Sequence, residues 1–369
     1  MGACMLKKVF SLTVLLASPL WLAAGDSPAK SQPPQVPTIK NVRVLATGGT
    51  IAGSGQGSSS SYRAGVVPIG DILRTVPGLT DIANVSAEQV ANVGSYDMDE
   101  AVWLKIIGRV EAAVSDADVS GVVITHGTDT LEETAYFLSL VLPSTKPVVL
   151  VGSMRPGSAV SADGPQNLLD AVRVASADRS RNRGVLIVMN DTIFDPASVT
   201  KVDFRRVNAF AAPSRGPVGQ VLTDRPKFFA NAAPHGAAFQ ITSENLPRVA
   251  IAYAYAGIRG EDIRAAVNGA KGLVIAGVGA GSFSASARQA VRELSSRGFP
   301  IVRTARQGVG DVWINEPTMG DLSDTALGTI AGRELTPAKA RILLMLALQS
   351  PRSRDELQTL LDRYGTSGF

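Results

Sequence analysis

Short apolar runs rich in β-branched residues recur along the chain, and the stretches between them return apolar residues every three or four positions. The runs Val42 to Ala46, Gly121 to Thr125, Pro147 to Val151 and Val185 to Met189 are short and, Arg43 apart, almost wholly apolar, so each predicts a buried-type strand. Between the second and third runs, Leu131, Ala135, Leu138 and Leu142 fall at helical spacing, and Thr130 with Glu133 predicts a capping box at the start of that helix. Alternation of this kind predicts an α/β fold with a parallel sheet covered by helices. The rhythm resumes at Val249 to Tyr253, Gly272 to Ala276 and Pro300 to Val302, then closes on a helix capped by Thr336 with Pro337 in its first turn. A second, smaller α/β domain is therefore expected.

Breaks in the pattern mark the boundaries. From about Phe228 to Pro247 the chain has Pro234, Gly236 and Pro247 and little periodicity, which predicts a linker over 231–248. It would join an N-terminal α/β domain at 40–230 to a C-terminal one at 249–369. Residues 26–39, with Pro28, Pro33, Pro34 and Pro37 among polar neighbours, read as a flexible leader. Ahead of it, Lys7 and Lys8 precede an apolar run from Val9 to Ala23, and the small residues Ala23, Ala24 and Gly25 follow, so residues 1–25 read as a secretory signal. The run holds Ser11, Thr13, Ser18 and Pro19 and is short for a spanning helix. A periplasmic or secreted protein, off the membrane once the signal is removed, is the expectation.

Charge and rare residues narrow the chemistry. The 36 basic residues of the whole chain fall to 34 without Lys7 and Lys8, against 32 acidic ones, a balance that argues against nucleic acid as partner. The single cysteine, Cys4, lies in the signal, and His126 and His235 are the two histidines, so neither a zinc cluster nor a cysteine-histidine pair can be assembled. No G-x-S-x-G elbow supports a serine triad. Gly277, Gly279 and Gly281 are spaced too closely for a dinucleotide fingerprint and read as a tight strand-to-helix turn. No metal and no cofactor are expected.

What remains is a set of hydroxyls at predicted strand ends, with Thr47, Gly48, Gly49 and Thr50 after the first strand and Thr125 to Thr130 after the second. Ligands of parallel sheets bind at the carboxyl ends of strands, and glycines there allow close backbone approach. A threonine can attack a carbonyl if a base takes its proton, and with histidine scarce a lysine is the natural base. Read from the residues alone, the same loops serve equally well as helix-capping turns.

The strings LATGGTIAG at 45–53 and ITHGTDTLEETAYF at 124–137 resemble the two signature segments of bacterial type II L-asparaginases. The resemblance extends through VGSMRPGSAVSADGPQNLLDAV at 151–172, GVLIVMND at 184–191, VTKVDF at 199–204 and AGVGAGS at 276–282, and so spans nearly all of the chain after the leader. It implies a two-domain asparaginase-like fold, a homotetramer with active sites between subunits, and hydrolysis of L-asparagine, with L-glutamine as a second substrate, without metal or cofactor. It further implies Thr50 as nucleophile, Tyr62 on a mobile lid, Thr128 as second catalytic threonine, and Lys201 with Asp129 as its relay. Ser95 and Asp129 would hold the substrate's α-carboxylate and α-ammonium. Without the resemblance, Tyr62 reads as a loop anchor, Lys201 as a solvated surface lysine and His126 as a satisfied structural histidine.

The chain departs from the pattern at two places. Tyr96 stands where many family members carry Gln or Glu after the binding serine, and Ala280 stands where many carry an asparagine, leaving Ser282 as the nearest polar side chain. The glutamate that the family supplies from a neighbouring subunit is assigned to Glu316, with Asp311 and Asp321 as alternatives. A periplasmic solute-binding protein, also two α/β domains behind a signal, is the competing expectation; it needs no nucleophile with a proton relay.

Overall fold

The structure, a computed structural model, describes residues 39–55, 62–63, 65–232 and 237–366. The signal, the leader up to residue 38, Cys4 and His235 lie outside these, as does the side chain of Tyr62. Residues Ile39 to Phe369 cluster as one compact unit. No helix of the described residues is long and apolar enough to cross a membrane.

The larger sheet has eight strands. Its parallel part runs Val185–Met189, Val148–Val151, Val119–Thr125, Lys40–Gly48 and Ala83–Val93, in that spatial order. Three short antiparallel strands, Thr192–Phe194, Gly219–Val221 and Pro226–Phe228, extend it past Val185–Met189. The first four apolar runs of the sequence fall on strands of the parallel part, with Pro147 one residue ahead of its strand, and their side chains divide by parity. Leu45, Val122, Ile124, Leu150 and Ile187 enter one core. Val42, Val44, Val123, Val149 and Val188 enter another on the opposite face, against the helix Gly164–Ser176. Both faces are largely dry along these runs, which is why, Arg43 apart, they show no polar alternation.

The smaller sheet is parallel throughout, in the order Val249–Tyr253, Gly272–Gly277, Ile301–Ala305 and Ile330–Ala331. Helix Pro337–Ala347 packs on it, with Thr336 accepting from the Lys339 N–H and Pro337 at the first position, as the sequence predicts. From Ile342 to Ala347 this helix is buried all round, so it behaves as a core helix rather than an amphipathic one. Its other side meets the helix Leu131–Val141, and each fully buried leucine there stabilises the join by about 1.5–3 kcal/mol.

The two sheets consequently share one apolar core. The described residues between Phe228 and Val249 form no helix or strand, but they are tied down. Ala238 and Phe239 both donate to the Leu140 carbonyl, at 2.8 and 3.0 Å, and Phe239 is buried. The glycines at 277–281 make the tight turn expected of them: Gly279 and Gly281 adopt φ of 53° and 87°, and helix Ala285–Ser295 follows.

Candidate active site

Two loops meet at the carboxyl ends of the central strands. Strand Lys40–Gly48 runs into Gly49 and a single turn, Thr50–Ala52, and strand Val119–Thr125 runs into His126 to Thr130 before helix Leu131–Val141. Gly49 has φ of 79°, and a Cβ there would lie 2.4 Å from Gly127 Cα, so only glycine lets the first loop press against the second. Thr47 Oγ1 donates to the Thr125 carbonyl at 2.9 Å and stitches the strand ends together. Thr50, Ser95 and Thr128 are all buried.

Four residues form one hydrogen-bonded chain. Lys201 Nζ donates to Thr128 Oγ1 at 2.8 Å and to Asp129 Oδ1 at 2.6 Å. Ser95 Oγ donates to Asp129 Oδ2 at 3.1 Å and accepts from the Asp129 N–H at 3.3 Å. Burial raises the pKa of Asp129, but the Lys201 hydrogen bond and charge, helped by Ser95, outweigh it and hold the carboxyl below its ordinary value. The surface reading of Lys201 is corrected: its side chain is 14% exposed, because the short strand Thr200–Lys201 turns it into the site.

The expected capping box at Thr130 and Glu133 does not form. Thr130 Oγ1 donates instead to the Ser95 carbonyl at 2.7 Å. A hydroxyl that could have capped the helix thus fixes the turn Ser95–Asp97 beside Asp129. Tyr96, next in the turn, is 76% exposed, with its ring lying over Gly94.

His126 is fully buried and serves the second loop from behind. Its Nδ1 lies 2.7 Å from the Gly127 carbonyl, which can only accept, so Nδ1 carries the proton. Nε2 then accepts from Thr134 Oγ1 at 2.9 Å, which itself accepts from Trp103 Nε1 at 2.8 Å. Burial, opposed only in part by the Gly127 hydrogen bond, lowers its pKa to about 4. Above pH 6.5 His126 is neutral folded or unfolded. Below that, the unfolded chain gains a proton that the fold refuses, so stability falls as pH drops from about 6.5 to 4. The loss is about 3 kcal/mol over that window. Urea unfolding should show it as extra pH dependence in wild type relative to His126→Gln; parallel pH slopes would contradict it.

An open cavity of about 340 Å³ adjoins the relay, lined by Asp129, Glu132, Lys201, Val202 and Phe204 among others. Val202 and Phe204 are 56% and 81% exposed at its edge. Ser282 and Glu316 lie elsewhere, on exposed loops past the ends of the smaller sheet. Within the chain, and among the described residues, no hydrogen bond or ion pair links either to Ser95, Thr128, Asp129 or Lys201. Asp311 sits 3.7 Å from Arg333 and Asp321 sits 3.7 Å from Arg288. For Tyr62 the backbone is described: it pairs with Gly55 across a two-residue hairpin strand that follows the Thr50 turn.

Sequence reasoning missed two groups behind the site. Glu132 accepts from the Lys201 N–H at 2.6 Å and from Thr200 Oγ1 at 3.2 Å. Lys339, fully buried on the other sheet's helix, lies 4.0 Å from Glu132. In sequence, Glu132 reads as an acidic residue complementing a helix N-terminus and Lys339 as a surface lysine.

Two family models match the chain: "Asparaginase, N-terminal" over residues 41–234 and "Glutaminase/Asparaginase C-terminal domain" over 248–361. L-asparaginase 2 of Bacillus subtilis (strain 168) is 42% identical over 334 residues, covering 88% of this chain and 87% of the relative. A glutaminase-asparaginase of Pseudomonas fluorescens biotype A is 40% identical over 361 residues, covering 96% and 97%. Among solved structures, a probable cytoplasmic L-asparaginase from Campylobacter jejuni superposes with a TM-score of 0.79 at 36% identity, covering 87% of this chain and 99% of that one. These matches leave a solute-binding protein without support. With both domain models spanning the two sheets and relatives at this identity over most of their length, the chain belongs to the asparaginase family.

Proposed function

We propose that this protein is an amidohydrolase that converts L-asparagine to L-aspartate and ammonia through an acyl ester on Thr50, and that L-glutamine is a second substrate. The unbroken contact Thr128–Lys201–Asp129–Ser95 carries the reading, because it sets a hydroxyl, an ammonium and a carboxylate within proton-transfer distance at the strand ends. The relatives named L-asparaginase 2 and glutaminase-asparaginase support the substrate class.

In the first half-reaction Thr50 Oγ attacks the side-chain amide carbon, and backbone N–H groups of the glycine loops hold the oxyanion. Ammonia leaves with the proton that the threonine gave up. Water then attacks the ester, and aspartate leaves. Lys201 and Thr128 share one short contact, and once the ammonium has passed a proton to Asp129 the neutral lysine nitrogen takes one from Thr128 across it. Thr128, Lys201 and Asp129 work as one coupled relay, Tyr62 belongs to the lid over Thr50, and Ser95 with Asp129 binds the amino-acid end. Ammonia release from asparagine and glutamine, assayed side by side on the purified protein, tests this; ligand binding without ammonia would sink it.

The working form is a homotetramer in which Glu316 and Ser282 reach a neighbouring subunit's site. Among the three acidic candidates Glu316 has no ion-pair partner in the described residues, whereas Asp311 and Asp321 each face an arginine. Exposed Val202 and Phe204 beside the relay, and Trp313 near Glu316, suit burial against another subunit. Mixing inactive Thr50→Ala chains with inactive Glu316→Ala chains should restore activity in part, since some hybrid sites are whole. Confirmed hybrids without activity would reject Glu316.

Tyr96 beside Ser95 sets affinity for the amino-acid end. A carboxamide oxygen accepts from an ammonium, whereas the phenol sits on a rigid ring folded over Gly94. Tyr96→Gln should lower KM about tenfold for asparagine and glutamine alike, as one hydrogen bond to a charged group warrants. A change confined to one substrate would place Tyr96 at the amide end instead.

Export to the periplasm or medium rests on Lys7, Lys8 and the apolar run behind them. N-terminal sequencing of the exported protein should begin near Gly25; retention of Met1 would contradict export.

A further inference from the structure

We infer that Glu132 and Lys339 form a buried clamp by which the smaller sheet's helix fixes the backbone that presents Lys201, so that both are positioning residues for the relay. The inference rests on the reading of Lys201 as a member of that relay.

Lys201 sits on a two-residue strand whose strand partner is Phe210–Ala211, outside both large sheets. So short a pairing cannot by itself hold an ammonium to within a few tenths of an ångström. The segment leading to it is pinned at three levels. Asp195 accepts from the Ala197 and Ser198 N–H groups. Lys339 Nζ donates to the Ala197 carbonyl at 3.2 Å and to the Val199 carbonyl. Glu132 then accepts from Thr200 Oγ1 and from the Lys201 N–H itself. Every polar atom of the clamp is thus spent on residues 197–201.

The pair is also an expensive way to fill space. Lys339 is 0% exposed and Glu132 8%, and a buried ion pair is commonly matched or bettered in stability by apolar residues of similar volume. At 4.0 Å their direct contact is loose, whereas the Glu132 bond to the Lys201 N–H is 2.6 Å. The charges are directed at the backbone more than at each other. That is the arrangement expected if they hold geometry, and it makes the lysine's position depend on the docking of the smaller sheet's helix.

The test uses the full-length mature protein and three variants: Lys339→Met, Glu132→Gln and the charge-balanced double variant. In the double variant thermal stability should match wild type. Its kcat should still fall about 10- to 100-fold, the scale of a misplacement near 1 Å, with KM within about threefold, and amide exchange across 195–201 should speed up. If Lys339→Met alone fails to fold, Glu132→Gln and the double variant decide by the same readouts. A folded double variant with wild-type kcat and wild-type exchange at 195–201 would overturn the clamp. Lys201→Met separates the two claims. It should lose turnover with exchange at 195–201 unchanged, and if turnover survives, the relay reading fails while the exchange data still judge the clamp.

Discussion

Thr50→Ala and Thr128→Val should each lower ammonia release by at least about 1,000-fold while leaving the unfolding curve within about 1 kcal/mol of wild type. Each removes one hydroxyl from a chemical step. Thr50 stands at the head of a single turn, pressed by Gly49 against the second loop, and Thr128 accepts directly from Lys201. Neither belongs to the apolar clusters that hold the sheets. Valine in place of Thr128 keeps the branched shape and deletes the oxygen, so a loss of turnover cannot be charged to packing. The losses should not add in the double variant, because residues of one relay act as a unit. A folded single variant near wild-type turnover would reject the mechanism.

Asp324→Ala should cost about 3–5 kcal/mol of stability, the scale for stranding one partner of a buried ion pair. Arg303 and Asp324 are 1% and 0% exposed and meet through two parallel bonds, both of 2.6 Å. The remaining donors of Arg303 reach the carbonyls of Ala280, at 2.9 Å, and Trp313, at 2.5 Å. Asp324 also accepts from the Asn315 N–H at 2.7 Å and from Thr329 Oγ1. One ion pair therefore anchors both loops of interest, the one carrying Ser282 and the one carrying Glu316. Deleting the carboxylate leaves a buried guanidinium and frees both loops at once. Urea unfolding with a midpoint shift worth under about 1 kcal/mol would show that the pair is replaceable by solvent.

Legibility in the sequence followed burial. Val185 to Met189 is dry on both faces and Val42 to Ala46 nearly so, with only Arg43 part-exposed, so short apolar runs announced them. Strand Ala83–Val93 lies at the sheet edge with only Ala83 buried, so no apolar run marks it, although Asn84, Ser86 and Glu88 alternating with Ala83, Val85 and Ala87 are a strand pattern that went unread. The antiparallel strands Thr192–Phe194, Gly219–Val221 and Pro226–Phe228 are three residues each, too short for a period to show. At the site, the loops of Thr50 and Thr128 stand out because signature residues are contiguous. The supporting ions do not. Lys339 and the Val199 carbonyl are 140 positions apart, and no local pattern distinguishes a lysine that will be buried from one that will be solvated. Thr130 illustrates the converse error, where a sound local rule for capping yielded to a tertiary partner, the Ser95 carbonyl.

The central claim is an acyl ester on Thr50, and partitioning with hydroxylamine tests it most directly. A shared acyl-enzyme forgets its leaving group. L-asparagine and an aspartate β-ester should therefore give the same ratio of β-hydroxamate to aspartate at a fixed hydroxylamine concentration, and Thr50→Ala should give neither product. A ratio that differs between the two substrates, or hydroxamate formed by Thr50→Ala at the wild-type rate, would contradict the account.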